Sequence, residues 1–96
     1  MFAIVDIETT GGNTQSDRIT EIAILVHDGT SVVAEYETLI DPERRIPYRI
    51  SSITGITNEL VSGAPKFYEV ARKVVELEIV ESVSYETVRR TLKKMA

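Results

Sequence analysis

The stretch FAIVDIETTGG, residues 2–12, limits this chain more than any other. Its apolar, β-branched start predicts a strand over residues 2–7. Side chains alternate along a strand, so Ile4, Asp6 and Glu8 share one face while Val5 and Ile7 share the other. Two neighbouring carboxylates repel, and burying them unpaired costs several kcal/mol. Such a strand needs one covered face and one face that meets either water or a counter-charge. Thr9, Thr10, Gly11 and Gly12 follow at once, and a residue without Cβ lets backbone come close to a ligand.

A divalent cation would turn the carboxylate pair into an asset. Mg²⁺ takes one or two protein carboxylates together with waters and substrate phosphates. Two such ions, roughly 3.5–4 Å apart, can clamp the attacking and leaving oxygens of a phosphodiester. The plainer reading of Asp6 and Glu8 is a solvent-facing strand surface.

The next segments predict a small α/β domain. RITEIAILVHD reads as a second strand, with Ile22, Ile24 and Val26 alternating against Glu21, Ala23 and Leu25. Asp28-Gly29-Thr30 suits a tight hairpin connection. SVVAEYETLI then reads as a third strand, giving an antiparallel meander. DPERRIPYRI, with Pro42 and Pro47, reads as a loop. SSITGITNELVSGAP holds a short helix at best, with Thr57 as the cap of NELV. Pro65 suits the first position of a helix, and Phe67, Val70, Ala71, Val74 and Val75 fall at helical spacing, which predicts an amphipathic helix over about 65–77.

At this point the residues resemble a known family. FAIVDIETTGG is similar to the first motif of the DEDD superfamily of 3′–5′ exonucleases, which includes the proofreading ε subunit of bacterial DNA polymerase III. The resemblance continues through RITEIAIL, YETLIDPERRIPYRISSITGIT and APKFYEVA, over residues 2 to about 76. It implies a ribonuclease H-like fold that opens with a three-stranded antiparallel meander. It also implies two-metal hydrolysis of the 3′-terminal phosphodiester, with Mg²⁺ or Mn²⁺ as cofactor and a DNA or RNA 3′ end as substrate. By resemblance Asp6 and Glu8 are the first two of four metal-binding acids. Thr9, Thr10 and Gly11 would lie against the terminal nucleotide, and Glu21 would support the site from the second strand. Ile53 and Ile56, in ITGIT, would pack against the terminal base. Core packing for the isoleucines and an ordinary strand-surface acid for Glu21 are the competing readings.

The family pattern is incomplete here. Its second motif, an HNxxFD-like string, and its third, with a general-base His or Tyr and a final Asp, have no counterpart in the sequence. The single histidine, His27, reads as an exposed turn residue. The expectation is a truncated exonuclease domain over residues 1–76 with weak metal binding and little activity.

Residues 77–96 read differently. Residues 1–76 carry 12 acids against 7 bases, and residues 77–96 carry 3 against 4. The bases are Arg89, Arg90, Lys93 and Lys94, on a predicted basic helix that Ser84 would cap and whose apolar stripe is Tyr85, Val88, Leu92 and Met95. ESVSYETVRRTLKK resembles the end of a helix-turn-helix segment of insertion-sequence transposases, which implies a tail of separate origin. A divergent strand and helix of the same domain is the other reading. The alternative function is a non-catalytic nucleic-acid-binding or self-associating module using this helix.

The sheet would keep three strands, leaving an edge of strand 1 open to pairing with a second copy as a homodimer. No run reaches the roughly 18–20 apolar residues of a membrane span. The chain has no cysteine, which excludes disulfides and thiolate metal sites. A cytoplasmic setting is the expectation.

Overall fold

A computed structural model describes residues 2–76; the predicted basic helix, the proposed junction at residue 77 and the transposase-like tail lie outside the described residues. Three strands form one antiparallel sheet in the order β1-β2-β3: β1 (Phe2–Thr9), β2 (Ile19–His27) and β3 (Val32–Leu39). Three helices follow: α1 (Tyr48–Thr54), α2 (Asn58–Val61) and α3 (Phe67–Glu76). This is the expected α/β meander. β1 runs two residues beyond its expected end, so Glu8 and Thr9 still belong to the strand.

The hairpin between β2 and β3 forms where Asp28-Gly29 predicts it. Gly29 adopts φ +103°, a conformation that costs side-chain-bearing residues dearly. The Asp28 carboxylate accepts from the N–H groups of Thr30 (2.8 Å) and Ser31 (2.9 Å), closing the turn locally. His27 sits at the end of β2 rather than free in the turn. Its ring stacks on Phe2 at 5.3 Å, and its Nδ1 accepts from the Gly29 N–H at 3.0 Å.

Register decides which residues meet. Glu8 faces Glu21, Asp6 faces Ala23 and Ile4 faces Leu25 across the first pair. Glu21 faces Leu39, Ala23 faces Glu37 and Leu25 faces Glu35 across the second. Directly opposed residues share a face, so these side chains line one side of the sheet. Ala3, Val5 and Ile7 line the other side with Ile22, Ile24, Val26, Ala34 and Tyr36, packed against Phe67, Val70 and Val74 of α3. Burying a Val or Ile side chain this completely contributes about 1.5–3 kcal/mol. The helical spacing of Phe67, Val70 and Val74 is thus the reason α3 settles on this side.

A second, smaller cluster joins Ile46, Ile56 and Val61, with Leu39 and Ile50 packed against it. Leu39 belongs to the carboxylate side of the sheet, directly opposite Glu21, so this cluster meets that side at the Glu21 rung. The Thr57 hydroxyl accepts from the Leu60 N–H at 3.1 Å, capping α2 as expected. α1 corrects the sequence reading, which treated residues 41–50 as loop. Pro47 carries φ −59°, already suited to a helix entry, and its carbonyl accepts from Ile50 and Ser51. α1 ends at Gly55, at φ +78°, whose N–H returns to the Ser51 carbonyl. It has no fully buried residue, so the sequence lacks the apolar periodicity that would announce it.

Candidate active site

The carboxylate side of the sheet is largely uncovered among the described residues. Phe2 and Ile4 are about half exposed, at 49% and 50%. Asp6 is exposed and Glu8 half-buried on the same side. The pair meets water rather than a packed interior, which resolves the tension of two acids on an apolar strand.

Glu21 lies directly across from Glu8. Its carboxyl is raised above the ordinary glutamate value, chiefly because burial disfavours the charged form, with Glu37, Glu8 and Asp6 adding like-charge repulsion. Glu37 is a member of the acidic group that the sequence reading passed over. Its place could not be read from the turn: His27 pairs with Val32 beside the turn, and a one-residue shift between Val26 and His27 is what sets Glu37, rather than Tyr36, opposite Ala23, the partner of Asp6. Among the described residues no group of three or more His, Cys, Asp or Glu side chains is arranged to enclose a metal ion. Two open carboxylates with a third across the strand fit a cation that completes its shell with water and substrate oxygens, and not a closed all-protein cage.

The loop after β1 is built around Asp17. Thr10 is 1% exposed. Its hydroxyl donates to Asp17 Oδ1 at 2.7 Å and accepts from the Arg18 N–H at 3.0 Å. Asp17 Oδ2 accepts from the Asn13 N–H at 2.9 Å. Arg44 reaches over from the loop after β3, donating to the Ser16 carbonyl at 2.7 Å and pairing with Asp17 at 3.3 Å. The Asp17 carboxyl is held below its ordinary value, first by the Thr10 hydroxyl, then by the Asn13 N–H and the Arg44 charge.

Each named residue can now be placed. The Thr9 hydroxyl donates to the Gly11 carbonyl, beside Glu8. Thr10 points into the loop and braces it. A Cβ at Gly11 would stand 2.6 Å from Asp17 Oδ2, so the close approach this glycine permits is to Asp17. Ile56 is buried in the second cluster, whereas Ile53 is 72% exposed. Asp17 reads from the sequence only as a loop residue, and its bracing role is hidden there because it depends on contacts 7 and 27 residues away.

This arrangement can be set beside known proteins. The sequence profile of the exonuclease family (RNase T) matches residues 3–83. The chain belongs to this exonuclease family. A DNA polymerase III PolC-type of Clostridium perfringens is 41% identical over 76 residues, covering 78% of this chain and 5% of that protein. A DNA polymerase III subunit epsilon of Treponema pallidum is 39% identical over 69 residues, covering 72% of this chain and 32% of that protein. Among solved structures, exonuclease X in complex with 5′ overhanging duplex DNA superposes with a TM-score of 0.64 at 34% identity. That match covers 76% of this chain and 42% of the solved one. The chain therefore has the three-stranded antiparallel meander of the ribonuclease H-like fold and spans under half the length of each of these relatives. Among its described residues no helix is long and apolar enough to cross a membrane.

Proposed function

We propose that residues 1–76 form the front half of a two-metal 3′–5′ exonuclease site acting on a DNA or RNA 3′ end. The observation that carries this reading is the pairing of Asp6 and Glu8 on the open side of β1, with Glu21 opposite Glu8. Asp6 and Glu8 would hold Mg²⁺ or Mn²⁺ through carboxylate oxygens. Ions held by these carboxylates would supply Lewis-acid polarisation of the terminal phosphodiester and a nucleophilic water. Glu21, whose charge is disfavoured by burial and, after that, by its acidic neighbours, would support the pair; a cation on Asp6 and Glu8 would relieve the repulsive part. Thr9, Gly11 and the exposed Ile53 would border the terminal nucleotide, while Thr10 and Ile56 would hold the surrounding loop and helices in place. The DNA-bound state of exonuclease X, a structural relative at 34% identity, supports nucleic acid as the ligand.

This chain by itself turns over slowly in this reading. Its sequence contains no second or third acidic motif and no general base, and a positioned base is typically worth about 10²–10⁴-fold in rate. Among the described residues the outer edge of β1 has no partner strand, which favours pairing with a second copy; that would add strands but no base.

Calorimetric titration with Mn²⁺ tests the site, alongside 3′-end degradation of labelled single-stranded DNA in Mn²⁺. Weak Mn²⁺ binding, lost in Asp6→Ala, with degradation no faster than in that variant, is the expected result. Mn²⁺ binding indifferent to both Asp6→Ala and Glu8→Ala would overturn the assignment. Robust degradation that Asp6→Ala abolishes would keep the site and overturn the slow turnover.

A further inference from the structure

Basic residues within 1–76 are few, and three of the seven fall between positions 44 and 49. Arg44 is committed to Ser16 and Asp17. Arg45 and Arg49 are exposed, and neither guanidinium makes a hydrogen bond or ion pair among the described residues. Between them Tyr48 is 86% exposed, an extreme for an aromatic side chain. Arg45 and Tyr48 border an open cavity of about 380 Å³, whose wall also carries the hydroxyl-bearing Ser51, Ser52 and Thr57 and the acid Glu59. A cavity of that size lies within the usual range for small-molecule sites, roughly 300–1,000 Å³.

The position of this patch gives it meaning. Arg44 ties its loop to the loop that follows Glu8. Ile50, two residues past Tyr48, packs against the Ile46, Ile56 and Val61 cluster, which Leu39 of the carboxylate side also joins. The Asn58 side chain fixes the loop from below, accepting from the Ile46 N–H at 2.8 Å and donating to the Ile46 carbonyl at 3.2 Å. The acidic face and the basic, aromatic rim are thus linked through the Arg44 contacts and the cluster under α1. Stacking on an exposed ring combined with cationic contact to the backbone is how proteins hold single-stranded nucleic acid without reading its sequence.

We propose that Arg45, Tyr48 and the hydroxyl-lined cavity form a second nucleotide subsite, which takes the single strand on the 5′ side of the terminal nucleotide. Tyr48 stacks on an unpaired base, Arg45 meets a phosphate, and Arg49 adds positive charge beside them. Glu59 opposes the strand and limits its affinity. This rests on the exonuclease reading only for direction along the strand; the contacts themselves need no metal ion.

Anisotropy of fluorescein-labelled ten-nucleotide oligo-dT and oligo-U, measured on the full chain in EDTA and again in Mn²⁺, separates the two sites. In both media Tyr48→Ala weakens binding about tenfold. Arg45→Gln weakens it severalfold and flattens the salt dependence by about 0.7 in the log–log slope. Glu59→Gln tightens it. Binding of dTMP in Mn²⁺ is unchanged by Tyr48→Ala and lost in Asp6→Ala. Ten-nucleotide binding that is absent in the wild type, or unchanged in both Tyr48→Ala and Arg45→Gln, overturns the subsite. If Asp6→Ala and Glu8→Ala both leave dTMP and Mn²⁺ binding intact while Tyr48→Ala still weakens the oligomer, the carboxylate site fails and the subsite stands.

Discussion

The two sides of the sheet are made by the same three strands, and they differ in what alternate residues were selected to do. On one side Ile22, Ile24 and Val26 are buried to within 1% and packed under α3. On the other, Asp6, Glu8, Glu21 and Glu37 sit among half-exposed Ile4 and Phe2. The first side is chosen for volume, and its residues could be exchanged for others of similar size. The second carries mutual repulsion that stability alone would remove. A side that keeps a destabilising arrangement points to a ligand that repays it.

Truncation on the two sides gives the largest contrast. Ile24→Ala should lower unfolding stability by about 2–5 kcal/mol, because a cavity opens in packed surroundings. Ile4→Ala, one strand away and half exposed, should cost well under about 1 kcal/mol. Comparable losses in denaturant titrations would mean that the carboxylate side is packed after all.

A smaller effect is expected at the seam between them. Gly11→Ala drives a methyl group into the Asp17 carboxylate, so the loop must shift or the Thr10–Asp17 bond must break. A loss of about 1–3 kcal/mol is expected. Thermal melts with Asp17→Asn as a companion variant would check it; an additive double variant would mean that the two positions act independently.

Thr20 offers the opposite sign. Its hydroxyl is buried without a hydrogen-bond partner among the described residues. Thr20→Val keeps the shape and removes an unsatisfied polar group, and should raise stability by about 1 kcal/mol. A lower melting temperature would show that the hydroxyl has a partner.

The smallest expected effect concerns pH and bears on the acidic side alone. The folded-state value of Glu21 is raised, so the folded chain binds a proton there more readily than the unfolded chain does. Its charge therefore costs stability above that raised value, and the cost fades as pH falls through it towards the ordinary glutamate range. Glu21→Gln should raise the neutral-pH melting temperature slightly, by less than about 1 kcal/mol in stability, and the gain should vanish near pH 4. Asp17 works the other way. Its depressed value means that its contribution is present above the ordinary aspartate range and is lost as pH drops below it. A Glu21→Gln gain that persists into acid would mean that the cost of the Glu21 charge, from burial first and from its acidic neighbours second, is not its cause.

Much of this division was legible in the sequence. The alternation of Ile4, Asp6 and Glu8 against Val5 and Ile7 assigns the two sides of β1 without a structure. Asp28-Gly29 announces the hairpin, and the spacing of Phe67, Val70 and Val74 announces α3. Other features are carried by contacts between distant segments. Glu37 joins the acids only through register across β2. Thr10 turns inward because Asp17 and Arg18 claim its hydroxyl, and nothing in TTGG distinguishes it from Thr9. α1 is held by Pro47, Gly55 and the packing of Ile50, with too little buried surface to leave a periodic trace.

The Arg44 contact to the Ser16 carbonyl spans 28 residues of sequence. Seen in time rather than in space, the loop beside Glu8 gains its final brace only after β3 and the turn beyond it have been made and have folded back. Neighbouring strands of the meander can pair on local pattern, whereas this corner waits for a distant arginine. In hydrogen exchange, the amides of Asn13 and Asp17 should therefore open and close on their own schedule, ahead of the sheet in unfolding and behind it in folding.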